Sequence, residues 1–541
     1  MDRSTVSRFT RSSSSRGPAP AADAAESGAP GPLTGRPGVL AGGAFLGGIA
    51  LTLAGGGVVC WVATAVAVAC LAAAALRPQL VPVAILGTLF ATGAWRVDTS
   101  MPALTTEELR AAGVVEGEFV AASDVLARGS GFECLARPRE IRSRDGGPVP
   151  SMPLVRLRWV RDAAAPAVDF GDVLIVRGLL QPVIGPQAPP ESASYWQRHG
   201  VAATVRALPR GIQLAPSTGW SLGRLAARAR RAAAGSFQHM LGERRGAVLT
   251  GVVLGSVTAI PEDLSEDFRV TGTVHVLACS GANVGLVAGL VSLPAALCGL
   301  RRRPRAMVVL LAVVAYTVIA GSKPSVVRAA IMAAAVLAPD LLDREPDDAT
   351  SMSLAASAIC GWDPGNLWDP GFQLSFAIVT YLMISRSFLA GISQRVQARL
   401  AGMGLQTGLL PAALCGAISV VLATFVAHAA AAPLVAYHFN QVCLVGLLAN
   451  LIVVPLSGIA LMVGLPVAAL SPAAPEASAL AGAWLLSPVV CAMEGSVRWF
   501  AGLPWASANV VAPPLTAVIV AYVVLAFLLL RGTRWVSGGA S

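Results

Sequence analysis

"VHVLACSGANVGLVAGLVSLPAAL" runs from Val274 to Leu297 without one charged side chain. As a helix it is long enough to cross the ~30 Å hydrocarbon core of a bilayer. Its first half carries His275, Cys279, Ser280 and Asn283, with Gly281 and Gly285 beside them. Polar groups at membrane depth are costly unless partnered, so they mark sites and pathways. On a continuous helix His275, Cys279 and Asn283 share one stripe at i, i+4 and i+8, and Ser280 points elsewhere. The Ser-Gly pair and the second Gly equally suit an unwound stretch, which a membrane tolerates where it lines a cavity. A helix–helix contact through small residues is the third reading. The spacing leaves these three open.

The rest of the chain sets the context. Of 541 residues, 55% are hydrophobic and only 13% charged, too few charges to cover a soluble surface of this size. Further apolar runs lie at 38–76, 80–95, 306–320, 324–341, 350–361, 371–389, 407–433, 441–470, 476–498 and 512–530. They predict a polytopic α-helical membrane protein with about 10–12 transmembrane helices. N-terminal crossings fill 37–96 and a channel-like core fills 274–530. The runs at 350–361 and 441–470 are candidates for short or broken segments.

Arginines at 300–305, 386, 395, 399 and 531–534 all fit cytoplasmic connections, so the net charge of +10 reflects membrane topology first. Both termini are then cytoplasmic, in a cell-membrane protein. Residues 1–36, rich in Ser, Arg, Pro and Ala, read as a disordered basic tail, and 531–541 as a second tail. Nine cysteines include no CxxC, and five histidines form neither HxH nor HExxH, so no metal or other cofactor is expected.

Residues 97–215 change period. "VEGEFVAAS", "MPLVRLRWV" and "VDFGDVLIVRGLLQP" alternate as strands do. Five short strands in this length predict an inserted small β-barrel of OB type on the extracytoplasmic side. Arg156 and Arg158 share one strand face, with Trp159 on the other. That face suits nucleic-acid binding or plain solvation. Residues 216–273 read as amphipathic interfacial helices: a basic one over 221–245, then a short one opened by Pro261, Glu262 and Asp263 and closed by Gly272, with Leu264 and Phe268 on one face.

Other polar groups punctuate the core. Pro324 starts a helix that carries Ser325 and Arg328, preceded by Lys323, the only lysine in the chain. Lys323 and Arg328 suit contact with a polyanion. Gln373 and Ser375 open a later span, and Asn450 sits mid-span five residues before Pro455. Glu494 and Arg498 read as a self-contained i, i+4 pair. Cys279 or Ser280 with His275 as base would make an intramembrane hydrolase, and "CSG" resembles part of the rhomboid protease serine motif. No second helix carries the matching histidine, so no enzyme is expected.

Taken in order, these pieces resemble the ComEC-type competence DNA-uptake channel family. "GTVHVLACSGANVGLV" resembles its "GxxHLLAISGxHVGLV", "KPSVVRAAIM" its "SPSxxRAxxM", "FQLSF" is unchanged, and "ANLIVVPL" resembles its late "aNLxxxPL". "GVVLGSVTAIPEDLSEDFRVTG" and "FGDVLIVRGLLQP…ASYWQRHGVAATV" are also similar to it. The resemblance implies a channel moving single-stranded DNA across the cytoplasmic membrane during transformation. His275, Ser280, Gly281, Asn283, Lys323, Ser325, Arg328, Gln373, Ser375 and Asn450 would lie along the DNA pathway, with Arg156 and Arg158 on the receiving outer domain. It implies as partners single-stranded DNA, the lipid bilayer, a DNA receptor, a cytoplasmic helicase or translocase, and a separate nuclease. Two departures stand out. Asn283 occupies the place of the family's second motif histidine, and no HxHxDH motif of a metallo-β-lactamase-like domain is present. The alternative reading is a transporter or flippase for another anionic or lipid-linked substrate.

Overall fold

The computed structural model describes residues 37–55, 91–93, most of 112–215, and 222–538 except 258 and 403–408. The expected N-terminal tail, the second crossing within 56–76 and most of the 80–95 run lie outside the described residues.

Strand periodicity in the outer region becomes a closed sheet. Its strands are β1 (Val114–Ala121), β2 (Leu126–Arg128), β3 (Gly131–Ser143), β4 (Leu154–Val160), β5 (Val173–Pro182) and β6 (Val201–Leu214). β1 pairs antiparallel with both β3 and β5, β5 with β6, and β3 with β4, while β4 and β6 pair in parallel. These pairings close five strands into a ring, with β2 folded back on β3. Alternation supplies the core: Val115, Phe119, Leu157, Leu174 and Val205 are fully buried.

Arg158 is exposed, but its neighbour Arg156 is held in an ion pair with the buried Glu133, Nε lying 3.1 Å from Oε2. Trp196 stacks on the guanidinium at 4.8 Å. Beside Glu133, burial pushes the Cys134 thiol up to about 12.

The helical region begins with α1 (Pro37–Gly55). It resumes with α2 (Leu222–Leu254), α3 (Glu262–Val270), α4 (Val274–Leu277), α5 (Gly281–Leu297), α6 (Arg302–Ile319), α7 (Pro324–Leu342) and α8 (Asp348–Trp362). A 3₁₀ turn (Pro364–Trp368) leads to α9 (Pro370–Gly402) and α10 (Leu409–Phe439). After β7 (Gln441–Cys443) come α11 (Gly446–Leu470), α12 (Pro475–Ala501), β8 (Ser507–Asn509) and α13 (Leu515–Gly538). Six helices among the described residues, α7 and α9 to α13, are long and apolar enough to cross a membrane, and α1 and α5 hold shorter apolar stretches. The chain is a polytopic helical membrane protein. The larger sequence count also includes α6, which opens with three arginines, α8, which has 15 residues, and segments outside the described ones.

Local details differ from the sequence reading. The basic amphipathic helix continues to Leu254 through a break at Gly242, whose φ is 79°. The expected C-terminal tail is helical as far as Gly538. Glu494 does pair with Arg498 at 3.0 Å, but it also receives Arg244 at 2.8 Å and Arg245 at 3.8 Å. The pair is therefore a junction of α2 and α12, not self-contained: a buried carboxylate draws in every cation within reach.

Packing divides the helices. α2 to α7, α11 and α12 share one apolar core containing Phe237, Leu264, Phe268 and Leu461. α9, α10 and α13 form another around Tyr381, Val426 and Leu529, tied by Tyr381 Oη donating to Tyr522 O and Tyr522 Oη donating to Ala430 O. A third cluster joins α1 and α8 to α7 and α9.

Removing one partner of a buried ion pair leaves an uncompensated charge, which costs about 3–5 kcal/mol. Arg156→Ala is therefore expected to open the barrel, and Glu133→Leu in the same chain to restore it. Iodoacetamide labelling of Cys134 at pH 8, read by peptide mass spectrometry, should be negligible in the wild type, fast in Arg156→Ala and slow again in the double variant.

Candidate functional site: a broken helix beside a seam

The opening stretch is not one helix. α4 ends at Leu277 and α5 begins at Gly281. Between them Cys279 adopts φ +54°, a left-handed conformation that L-residues visit rarely. Such a break frees backbone carbonyls that a membrane interior cannot solvate. α2 ends at the same level with its own carbonyls unpaired by helix.

Side chains from the starts of α5 and α7 and from α6 satisfy both ends. Asn283 Nδ2 donates to Val252 O at 2.8 Å. Tyr316 Oη donates to Val253 O at 2.8 Å and lies 2.8 Å from Cys279 Sγ. Lys323 Nζ donates to Gly255 O, and Ser325 Oγ to Cys279 O at 3.0 Å. Ser280 Oγ donates to Asn283 Oδ1 at 3.3 Å. Gly255 has φ +71°, and a Cβ there would sit 2.7 Å from Cys279 Cβ. Four of the residues picked out in sequence, Ser280, Asn283, Lys323 and Ser325, thus converge, and they hold the break together. Tyr316 belongs to the same network, and sequence reasoning missed it because a tyrosine in an apolar run looks like core.

Arg328 lies elsewhere. It is buried on α7, and its Nη1 lies 3.0 Å from Asp369 Oδ1, just before α9. The same carboxylate oxygen accepts the Phe372 backbone N–H at 2.8 Å. Gly371 gives the guanidinium room, since a Cβ there would fall 2.6 Å from Arg328 Nη2. The "KPSVVRAAIM" and "DPGFQLSF" segments are thus joined by one ion pair.

Gln373 is fixed at both ends of its amide: Nε2 donates to Leu367 O at 3.0 Å, and Oε1 lies 2.8 Å from His438 Nε2. Ser375 is half-buried near the start of α9. Asn450 is half-buried on α11, its Oδ1 enclosed without a hydrogen-bond partner.

His275 is exposed, with Nδ1 3.1 Å from Gly272 O, and α10 comes near the preceding turn at Gly446, where an added Cβ would lie 3.5 Å from Thr271 O. His428 in turn packs at Gly446, where an added Cβ would meet its Cε1 at 2.9 Å. His428 and His438 thus lie ten residues apart on α10, the first against Gly446 of α11 and the second against Gln373 of α9. Both were visible in sequence as imidazoles in an apolar run, but their partners were not.

The geometry of α5 defines a seam. Its Asn283, Val284 and Val287 are buried in the first unit. The opposite face, Gly281, Ala282, Gly285 and Gly289, is exposed. α5 sits between α7 and α11: a Cβ on Gly281 would touch Ala329, and one on Gly458 would touch Leu286. The second unit meets the first at these flanking helices, α9 at α7 and α10 at α11. The exposed Gly and Ala face of α5 is thus flanked by α7 and α11, the two helices at which the units meet, and that meeting line is called the seam below.

The network predicts opposite outcomes for two glycines. Gly255→Ala forces both a strained φ and a clash, so the purified protein in detergent should lose several degrees of melting temperature. At Gly285 a Cβ meets nothing within 4 Å, so Gly285→Ala should melt with the wild type, gaining helix propensity.

Comparison with known proteins places the site in a wider group. The Competence protein family profile matches residues 252–535, from the last turn of α2 to the end of α13. ComE operon protein 3 of Bacillus subtilis (strain 168) is 29% identical over 209 residues, which is 38% of this chain and 24% of that relative. The chain thus aligns with about a quarter of the relative's length. No solved structure matches. The family match spans more than half of the chain and takes in the broken helix, the ion pair at α7 and the whole seam, and the chain belongs to the Competence protein family.

Proposed function

We propose that the seam is a passage for single-stranded DNA across the cytoplasmic membrane, used in competence-related DNA uptake. The observation that carries this reading is the exposed small-residue face of α5, a helix flanked by α7 and α11, which are the helices that the second unit meets. A lipid-facing helix gains from large apolar side chains, and glycine contributes none. A face of Gly and Ala instead lets a flexible polymer pass close to the backbone, with imidazole, amide and hydroxyl groups as exchangeable hydrogen-bond partners.

Charge placement supports a polyanion that is admitted without being trapped. Arg328 is neutralised by Asp369 and belongs to the wall, acting as a positioning residue. Lys323 caps the N-terminus of α7, where the helix dipole adds positive potential, and its ammonium also donates to Gly255 O. A pore lined by unpaired arginines would hold each phosphate; one with a single cation at its mouth would not.

In this reading the barrel lies outside and receives the strand, with Arg158 free for phosphate contact while Arg156 serves the fold. Both termini are cytoplasmic, and a receptor, a motor and a nuclease are separate proteins. This reading gives Cys279 a structural part: its thiol is buried against Tyr316, and His275 bonds to Gly272 O.

Two measurements test the proposal. In a transformable host lacking its own family member, the chain with Gly285→Trp should reach wild-type protein level yet import no labelled DNA, while Gly285→Ala imports normally. Normal import by Gly285→Trp overturns the passage. Binding of single-stranded DNA to the purified chain should weaken by about tenfold or more between 50 and 200 mM salt with little sequence preference. Salt-independent binding, or a lipid-dependent growth defect in place of an uptake defect, favours a flippase.

A further inference from the structure

Among the described residues the chain passes between the two helical units three times, always at the same end. With α8 packed on α7 of the first unit, the 3₁₀ turn Pro364–Trp368 joins α8 to α9, β7 joins α10 to α11, and β8 joins α12 to α13. β7 and β8 pair with each other, Gln441 opposite Asn509. The 3₁₀ turn stands at their level, because Gln373 in the first turn of α9 reaches His438 in the last turn of α10. At the opposite end every connection stays within one unit: α7 to α8 and α11 to α12 in the first, α9 to α10 in the second. The units are therefore hinged by the chain at one end and unlinked by it at the other.

The packing between the units is graded in the same direction. Beside the links lies the buried Arg328–Asp369 pair. Phe372 and Phe376, in the first two turns of α9, share an apolar cluster with Ile331 of α7 and Ile359 of α8. Val445, Ala449, Phe500 and Ala506 form a small core around β7 and β8. About four turns further along α9, Arg386 pairs with Asp348 at the start of α8, and here the side chains are 70% and 46% exposed. A pair so open to water holds weakly. Each unit is braced within itself, the first by the network at the broken helix and the second by the bonds of Tyr381 and Tyr522. Bodies with separate apolar cores and a polar boundary move against each other by default.

We propose that the two units turn as rigid bodies about the linked end, and that the Arg386–Asp348 pair is the latch that keeps the opposite end of the seam shut. A hinge concentrates its backbone change in a few element-terminal residues, and the three links supply them side by side. α10 has 31 residues and so measures about 46 Å. A rotation of about 10° at its linked end then moves its far end by about 8 Å. Such a rotation leaves the broken helix and the β7–β8 ladder intact and widens the seam from the latched end. The device belongs to the wall alone and holds whatever crosses the seam.

The test measures distances in the full chain by double electron–electron resonance, with spin labels carried on p-acetylphenylalanine so that the native cysteines stay untouched. One labelled pair spans the latched end, at Glu345 and Gln394; the other spans the linked end, at Phe439 and Trp499; all four side chains are exposed. Arg386→Asp should lengthen the 345–394 distance by about 5 Å or more and leave the 439–499 distance as in the wild type. Asp348→Arg added to Arg386→Asp rebuilds the pair with its charges exchanged and should restore the short distance. The unchanged 439–499 distance also reports that each variant is folded. An unaltered 345–394 distance in Arg386→Asp, equal lengthening of both pairs, or failure of the charge exchange to restore the short distance would each overturn the hinge and its latch.

Discussion

Everything at the centre of this protein follows from one constraint: carbonyl groups freed by broken helices must find donors inside a membrane. α2 stops and α4 breaks at the same depth, which exposes the carbonyls of Val252, Val253, Gly255 and Cys279 together. Each is met by a side chain from a different place, Asn283, Tyr316, Lys323 and Ser325. An unmet buried acceptor costs about 1–3 kcal/mol, so the polar residues of "VHVLACSGANVG" are explained first by this need. The break then turns α5 so that its glycine face points away from the core. Function, in this account, is a consequence of where the satisfied break sends the next helix.

A second consequence concerns charge. The two helical units have separate apolar cores, and a buried ion pair, Arg328 with Asp369, spans the boundary between α7 and α9. Placing the arginine in a pair leaves the wall near neutral, which suits transit better than binding. The Gln373–His438 contact adds polarity beside it. Asn283 fits the same logic. Where the family motif carries a second histidine, an amide that donates to Val252 O performs the structural task without a titrating group.

Much of this was legible in the sequence. Apolar runs announced the spans, a period of two announced the closed sheet, and Pro261 through Gly272 announced α3. The partnerships were not legible, because they join residues distant in the chain. Arg328 finds Asp369 41 residues later, and Arg156 finds Glu133 23 residues earlier. Nothing local marks Glu133 as buried, so both arginines of β4 read alike although only Arg158 is free. Glu494 read as a local pair for the same reason. His428 and His438 were missed because spacing carries no sign of which helices α10 packs against. The family resemblance is borne out by the profile match over 252–535, and the structure adds partners for several of the motif residues.

The central claim is that the exposed face of α5 meets the translocated strand. The direct measurement is site-specific photo-crosslinking during uptake, with benzoylphenylalanine at Ala282 on that face and, as the contrast, at Phe527 on the exposed side of α13. The account predicts cross-links to labelled single-stranded DNA from position 282 and none from position 527. Equal labelling at both, or labelling at 527 alone, would contradict it.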